Sequence, residues 1–356
     1  MIPDQLDALI RQAIAARVYP GCVVGVSAPG GQEVRAFGKP TYDGDGRIAE
    51  DSIYDTASLT KTIVTATLVH QLIDAGRCGL TEPVCAYIPE FAARAKHEVL
   101  MEHLLSYTVE LRSDYYDDWK GDTSRWTFPQ LLQMFCAAPL KAPPGSAYLY
   151  TDATAMLLAE VIRRIEGRDL SELADERIFS RLGMGDSTLD PASRDRSRIV
   201  PAGYRPDGRL IWAFPNDEKA EVAYAAGIQS GLAGLFSTAP DILRWTAMML
   251  NDGRTVSGAP VLSPAAVRRM THDRYPEKPF RSALGWGDGP TFQSLQGVGG
   301  SYLLAKGGYT GCFMIGDPAA QKVLVLLANR VHPARPPDLT PWQDFRRNAV
   351  RSVFGG

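Results

Sequence analysis

The chain has 356 residues, 45% of them hydrophobic and 22% charged, with 38 basic and 40 acidic side chains. That composition is ordinary for a globular protein, and a chain this long buries a core without staples. A net charge of −2 speaks against nucleic-acid binding or a polybasic membrane patch as its main business. Five scattered cysteines (Cys22, Cys78, Cys85, Cys136, Cys312) contain no Cys-x-x-Cys pair, a pattern of reduced thiols and not of a disulfide framework or zinc site.

Residues 1–7 lack the basic and long apolar stretches of a secretory signal, and apolar runs such as 323–328 are too short to span a membrane. The expectation is a soluble, cytoplasmic protein with no membrane or nucleic-acid partner. Residues 4–16 place Leu6, Leu9, Ile10, Ala13 and Ile14 at helical spacing. Pro20-Gly21 stops that helix. Residues 22–28 and 33–37 then predict a hairpin across Pro29-Gly30-Gly31. Residues 62–75, 129–137, 152–165 and 240–250 carry helical periodicity, with Gly167 and Gly253 as stops. Residues 107–126 and 190–225, rich in Pro, Gly, Asp and Tyr, predict long loops. Strands are predicted over 301–305, 312–315 and 322–329, and a final amphipathic helix over 342–354. Both ends thus supply a helix and antiparallel strands. The economical architecture is an α+β fold: a sheet domain from residues 1–60 and 285–356, flanked by the terminal helices, around a mainly helical region from 61–284.

Several familiar motifs fail. There is no Gly-x-Ser-x-Gly elbow and no Walker loop. His97 and His103 are six apart, whereas a zincin pair needs four. Gly297-Val298-Gly299-Gly300 is a lone glycine cluster, best read as a loop.

Ser58-Leu59-Thr60-Lys61 is more informative. Three residues apart on a helix, Ser58 and Lys61 share a face. A hydroxyl at a helix start feels the positive end of the dipole, and a lysine in partly apolar surroundings can serve as a base. With 20 Ser and 9 Lys, chance supplies about half of one such pair. An ordinary capping serine and a surface lysine are therefore the better account of this stretch by itself. Two further stretches change the weighing. Residues 143–152 end in Tyr150-Thr151-Asp152 before a helix, and a tyrosine beside a lysine can act as general base and acid. Lys306-Gly307-Gly308-Tyr309 follows on a glycine-flanked strand, where a substrate can approach the backbone closely. Its lysine can hold the charge of the tyrosine or a substrate carboxylate.

The order Ser-x-x-Lys, Tyr-x-Asp, Lys-Gly-Gly resembles the serine β-lactamase and penicillin-binding-protein family, in particular its class C β-lactamase-like branch of esterases, D-amino-acid peptidases and acyltransferases. The flanks are similar too: residues 54–61, 79–91, 233–238 and 326–333 look like family segments, so the likeness covers nearly the whole chain. The resemblance implies a β-lactamase/transpeptidase-like fold with its site in the cleft between the sheet and the helical region. It implies Ser58 as the acylated nucleophile and Lys61 as the group that takes its proton or tunes its partner. Tyr150 becomes the shared acid and base, and Lys306 an electrostatic and substrate contact. The oxyanion hole falls to the backbone N–H groups of Ser58 and Tyr309, next to Gly308. It implies no metal or organic cofactor, and the five histidines fall outside these motifs.

Departures from the pattern bear on substrate. Gly307 replaces a usual Thr, which removes a donor to a substrate carboxylate. Asp152 replaces a frequent Asn, and it either repels an anionic substrate or pairs with Lys61. Residues 104–110 (Leu-Leu-Ser-Tyr-Thr-Val-Glu) and 231–234 (Gly-Leu-Ala-Gly) also depart. Residues 112–119, mixed aromatic and acidic, either line a pocket for an apolar or cationic acceptor or form a solvated loop. The expected function is a serine hydrolase acting on a small ester or amide, foremost an esterase. The alternatives are an acyltransferase passing the acyl group to an amine or alcohol, a β-lactamase or D-amino-acid peptidase, and a non-catalytic binding protein.

Overall fold

One inner strand of the main sheet carries Cys-Val-Val-Gly-Val over residues 22–26, apolar at every position and buried on both faces, as a strand covered on both sides must be. A computed structural model describes residues 1–111, 126–285 and 304–355. The expected strand residues 301–303, the glycine cluster at 297–300 and the candidate pocket loop at 112–119 lie outside the described residues. Strands β1 (Gly21–Ala28) and β2 (Gly31–Gly38) form the predicted hairpin. They are followed by β3 (Tyr54–Asp55), β4 (Gly203–Tyr204), β5 (Leu210–Ile211), β6 (Phe236–Ser237), β7 (Leu304–Gly307), β8 (Phe313–Asp317) and β9 (Lys322–Ala328). The main sheet has the order β2-β1-β9-β8-β7, antiparallel throughout, so the two ends of the chain do build one sheet.

Alternation along the strands sends side chains to two cores. Cys22, Val24, Val26, Phe313, Ile315, Leu324 and Leu326 pack with helices α1 (Asp4–Ala15) and α11 (Thr340–Phe354). Val23, Met314, Val323, Val325 and Leu327 join the larger core that runs into the helical part of the chain. The helices between are α2 (Thr67–Asp74), α3 (Met101–Leu105), α4 (Phe128–Ala137), α5 (Asp152–Glu166), α6 (Leu170–Ala174), α7 (Ser180–Leu182), α8 (Glu218–Ala225), α9 (Ala239–Leu250) and α10 (Pro264–Thr271). Helix α9 covers the second face of the sheet. It lies so close that a Cβ on Gly25 would sit 2.7 Å from Leu243 Cδ1.

Two expectations need correction. The segment 190–225 is not a loop throughout: it carries the β4–β5 pair and helix α8. Asp217 caps α8 by accepting from the Lys219 and Ala220 amides. The helix buries Ala220, Glu221, Val222 and Ala223 in succession, so it has no apolar stripe for a period of 3.6 to reveal. The helix expected from residue 62 starts differently as well. Lys61–Ala66 is π-helical, and regular α-helix begins at Thr67. Within it, the Thr62 and Thr65 hydroxyls donate to the carbonyls of Gly285 and Gly231, both at 2.7 Å. Such partners lie far off in sequence, and π turns recur at functional sites.

Candidate active site

Ser58 sits on a strained turn between β3 and the π segment. Ala57, immediately before it, has φ +49°, a left-handed conformation that a non-glycine residue keeps only when its surroundings enforce it. The enforcing contacts are present. The buried Asp55 carboxylate accepts from the Ala57 amide at 2.8 Å and from the Asn216 amide at 2.7 Å. Burial pushes the Asp55 carboxyl up to about 6, and these two N–H donors pull against that rise. Thr56 donates to Leu235 O through both its amide and its hydroxyl. The Thr60 hydroxyl donates to Ala57 O at 2.6 Å and accepts from the Leu235 amide. The 233–238 segment, singled out in the sequence, is thus the scaffold under the serine turn.

The Ser58–Lys61 spacing brings the two side chains together as a helical turn predicts. Lys61 Nζ is buried and donates to three acceptors: Ser58 Oγ at 3.0 Å, Leu232 O at 2.7 Å and the Asp152 carboxylate, whose Oδ1 lies at 2.8 Å. Asp152 opens α5, whose cap is Thr151. Its other oxygen, Oδ2, lies 3.0 Å from the ammonium of Lys219 on α8. Burial raises the Asp152 carboxyl, but the two ammonium groups outweigh it and hold the group well below the usual carboxylate range. Of the two roles weighed for Asp152, pairing with Lys61 is the one seen. Both oxygens are covered by cations, so its charge is neutralised in place.

Lys306, fully buried on β7, holds its ammonium 4.6 Å from the Tyr150 ring centroid and 5.2 Å from that of Tyr107. Lys61 Nζ is 5.4 Å from the Tyr150 ring. Two cations therefore flank Tyr150, an attractive arrangement at such distances. Tyr107 was noted in the sequence only as a departure, yet it supports Tyr150 directly. Its ring lies 4.9 Å from the Tyr150 ring, its carbonyl accepts from the Leu149 amide at 2.8 Å, and its φ is +56°. A bulky residue in that conformation is a real outlier, and with the ring contact it marks Tyr107 as part of the site, a signal invisible in sequence.

The Lys-Gly-Gly strand end is docked on the serine turn. A Cβ on Gly308 would lie 2.2 Å from the Thr56 carbonyl oxygen, so no larger residue fits without moving backbone. The Thr310 hydroxyl donates to Asp55 O at 2.7 Å and closes the contact. This brings the chain at Tyr309 against the Ser58 turn. Among the described residues, neither the Ser58 nor the Tyr309 amide donates within the protein, and these are the two donors expected of an oxyanion hole. Gly308→Ala is expected to destabilise the fold by about 1–3 kcal/mol, the usual cost of overpacking, seen as a fall in Tm. An unchanged Tm would mean that the strand end and Thr56 part freely.

The histidines stand apart from this cluster. His70 is buried, with Nε2 3.0 Å from Leu284 O and Nδ1 accepting from Arg269, and burial lowers it to about 4. His103 Nδ1 accepts from the Leu100 amide at the start of α3. Both serve the fold.

The model of the family described as Beta-lactamase matches residues 6–348. The chain belongs to the beta-lactamase family. Membership places this β-lactamase-family protein among serine hydrolases and gives its α+β architecture as the β-lactamase/transpeptidase fold. Protein Rv1367c of Mycobacterium tuberculosis is 29% identical over 369 residues, spanning 91% of this chain and 89% of its own. An Escherichia coli K12 protein named "Putative D-alanyl-D-alanine carboxypeptidase" is 27% identical over 328 residues, spanning 82% of this chain and 72% of its own. Among solved structures, EstCE1, described as a hydrolase with promiscuous acyltransferase activity, superposes with a TM-score of 0.75 at 20% identity, covering 97% of each chain. At that identity the likeness is one of fold. No helix among the described residues is long and apolar enough to cross a membrane.

Proposed function

We propose that this β-lactamase-family protein cleaves an ester or amide of a small molecule through an acyl-Ser58 intermediate, and that esters are its first substrates. The observation that carries the reading is Lys61 Nζ at 3.0 Å from Ser58 Oγ, with its other two donors on Leu232 O and Asp152. An ammonium so engaged orients the hydroxyl and leaves proton transfer to Tyr150. In the acylation step Tyr150 enters as the phenolate: Ser58 Oγ bonds to the substrate carbonyl carbon and its proton passes to the Tyr150 oxygen. Lys61 and Lys306 stabilise the charge on Tyr150, and the Ser58 and Tyr309 amides receive the developing oxyanion. Collapse of the tetrahedral species breaks the bond to the leaving alkoxide or amine, which takes the proton from Tyr150. A water, or an acceptor alcohol or amine, then gives its proton to Tyr150 and attacks the acyl carbon. Tyr150 finally returns the proton to Ser58 Oγ.

Gly307 supports esters over β-lactams or peptide termini, since it offers no hydroxyl to a substrate carboxylate. A second reading, acyl transfer, draws support from the acyltransferase activity of EstCE1 and uses the same side chains. The test is incubation with a short-chain p-nitrophenyl ester, with and without an added alcohol or amine, beside a chromogenic cephalosporin and a D-alanyl-D-alanine peptide. The expected result is saturable p-nitrophenol release from the ester, with little turnover of the other two. An acylated acceptor that grows at the expense of free acid would assign transfer. Turnover of the cephalosporin or peptide without the ester would overturn the esterase reading, and inertness to all three would favour a binding protein.

A further inference from the structure

We propose that Lys219 is a positioning residue for Ser58: by fixing one oxygen of Asp152 it holds the other where Lys61 must meet it. The inference rests on the acyl-Ser58 reading for its readout and on the geometry around Asp152 for its substance. A carboxylate held at one oxygen can turn about its bond to Cβ or offer both oxygens to the same partner. Asp152 is held at both ends, Oδ1 2.8 Å from Lys61 and Oδ2 3.0 Å from Lys219. Lys219 is itself tied down. It is largely buried, lies 3.5 Å from Asp217 Oδ2, and stands two residues after the Asp217 cap of α8. The same turn reaches the nucleophile a second way, because the Asn216 amide donates to Asp55, whose other oxygen holds the strained Ala57 amide. Residues 216–219 therefore brace both sides of Ser58, the backbone through Asp55 and the side chain through Asp152 and Lys61.

Loss of Lys219 leaves Asp152 with Lys61 as its one remaining cation among the described residues. The carboxylate is then free to take Lys61 with both oxygens and draw Nζ off Ser58 Oγ. Lys219 acts on Ser58 through Asp152 and Lys61, so the effect belongs in kcat more than in KM.

The experiment is a double-mutant cycle on ester hydrolysis with Lys219→Met, Asp152→Asn and the pair, with acyl-Ser58 formation followed by mass. Lys219→Met is expected to lower kcat about 10²-fold, the scale of a misplacement near 1 Å, at nearly constant KM. Lys219→Arg should recover most of the loss. In the Asp152→Asn background, Lys219→Met should have little further effect, because the residues act as one unit. Should Lys219→Met melt below the assay temperature, Lys219→Gln replaces it in the same cycle, keeping an N–H donor and losing the charge. Wild-type kcat in the charge-removed variant, or an equal loss with and without Asp152, would overturn the inference. Absence of an acyl adduct in the wild type would instead overturn the function on which it rests.

Discussion

Ser58→Ala is expected to abolish acylation and to lower ester turnover by about 10⁶, the loss found when the nucleophile of a well-studied serine hydrolase is removed. The substitution is mild for the fold. Ser58 is half-buried, and its hydroxyl accepts from Lys61. Lys61 keeps Leu232 O and Asp152 when that acceptor goes, and the strained Ala57 is held by Asp55 and not by Ser58. Tm should therefore stay close to wild type while the chemistry disappears. Intact-protein mass spectrometry after exposure to a p-nitrophenyl ester reads this directly. An acyl mass on wild type that is missing from Ser58→Ala assigns the nucleophile, and an adduct that persists in the variant places it elsewhere.

Tyr150→Phe carries the second large effect, a loss of about 10²–10⁴ in kcat/KM, the usual worth of a positioned acid–base group, or about 2.7–5.5 kcal/mol of barrier. Phenylalanine preserves what surrounds the hydroxyl. The ring still faces Tyr107 at 4.9 Å and the Lys306 ammonium at 4.6 Å, so packing and cation–π attraction survive and the loss isolates the oxygen. Near-normal turnover by Tyr150→Phe would return the role of base to Lys61. That result would also require Lys61 to give up one of its three donors, so it should then be Asp152 variants that change the rate most.

Much of this molecule was legible in its sequence because the signals are local. The period of Leu6, Ile10 and Ala13 announces α1, and the β-branched run at 22–28 announces the first strand of the hairpin. The three-residue step from Ser58 to Lys61 is a property of any helical turn, so their meeting needed no tertiary knowledge. Gly308 could be flagged by its place in Lys-Gly-Gly, although only the packing shows that the obstacle is the Thr56 carbonyl.

Other features had no local signal. Helix α8 was missed because it buries consecutive residues and rests on a cap, and with it went Lys219. Sequence offered two fates for Asp152, since a carboxylate's effect depends on which cations reach it. Lys61 is 91 positions away and Lys219 is 67, and folding alone sets both distances. Tyr107 looked like a mere departure until its left-handed backbone and its ring against Tyr150 appeared. The sequence by itself determined the elements that carry a local period and which side chains are able to do chemistry, because periodicity and functional groups are written residue by residue. The tertiary structure alone decided which charges neutralise one another, which strained turn is held, and which stretches of backbone meet at Ser58. Those are contacts between segments up to 255 positions apart, such as Thr310 and Asp55, and no local pattern encodes them.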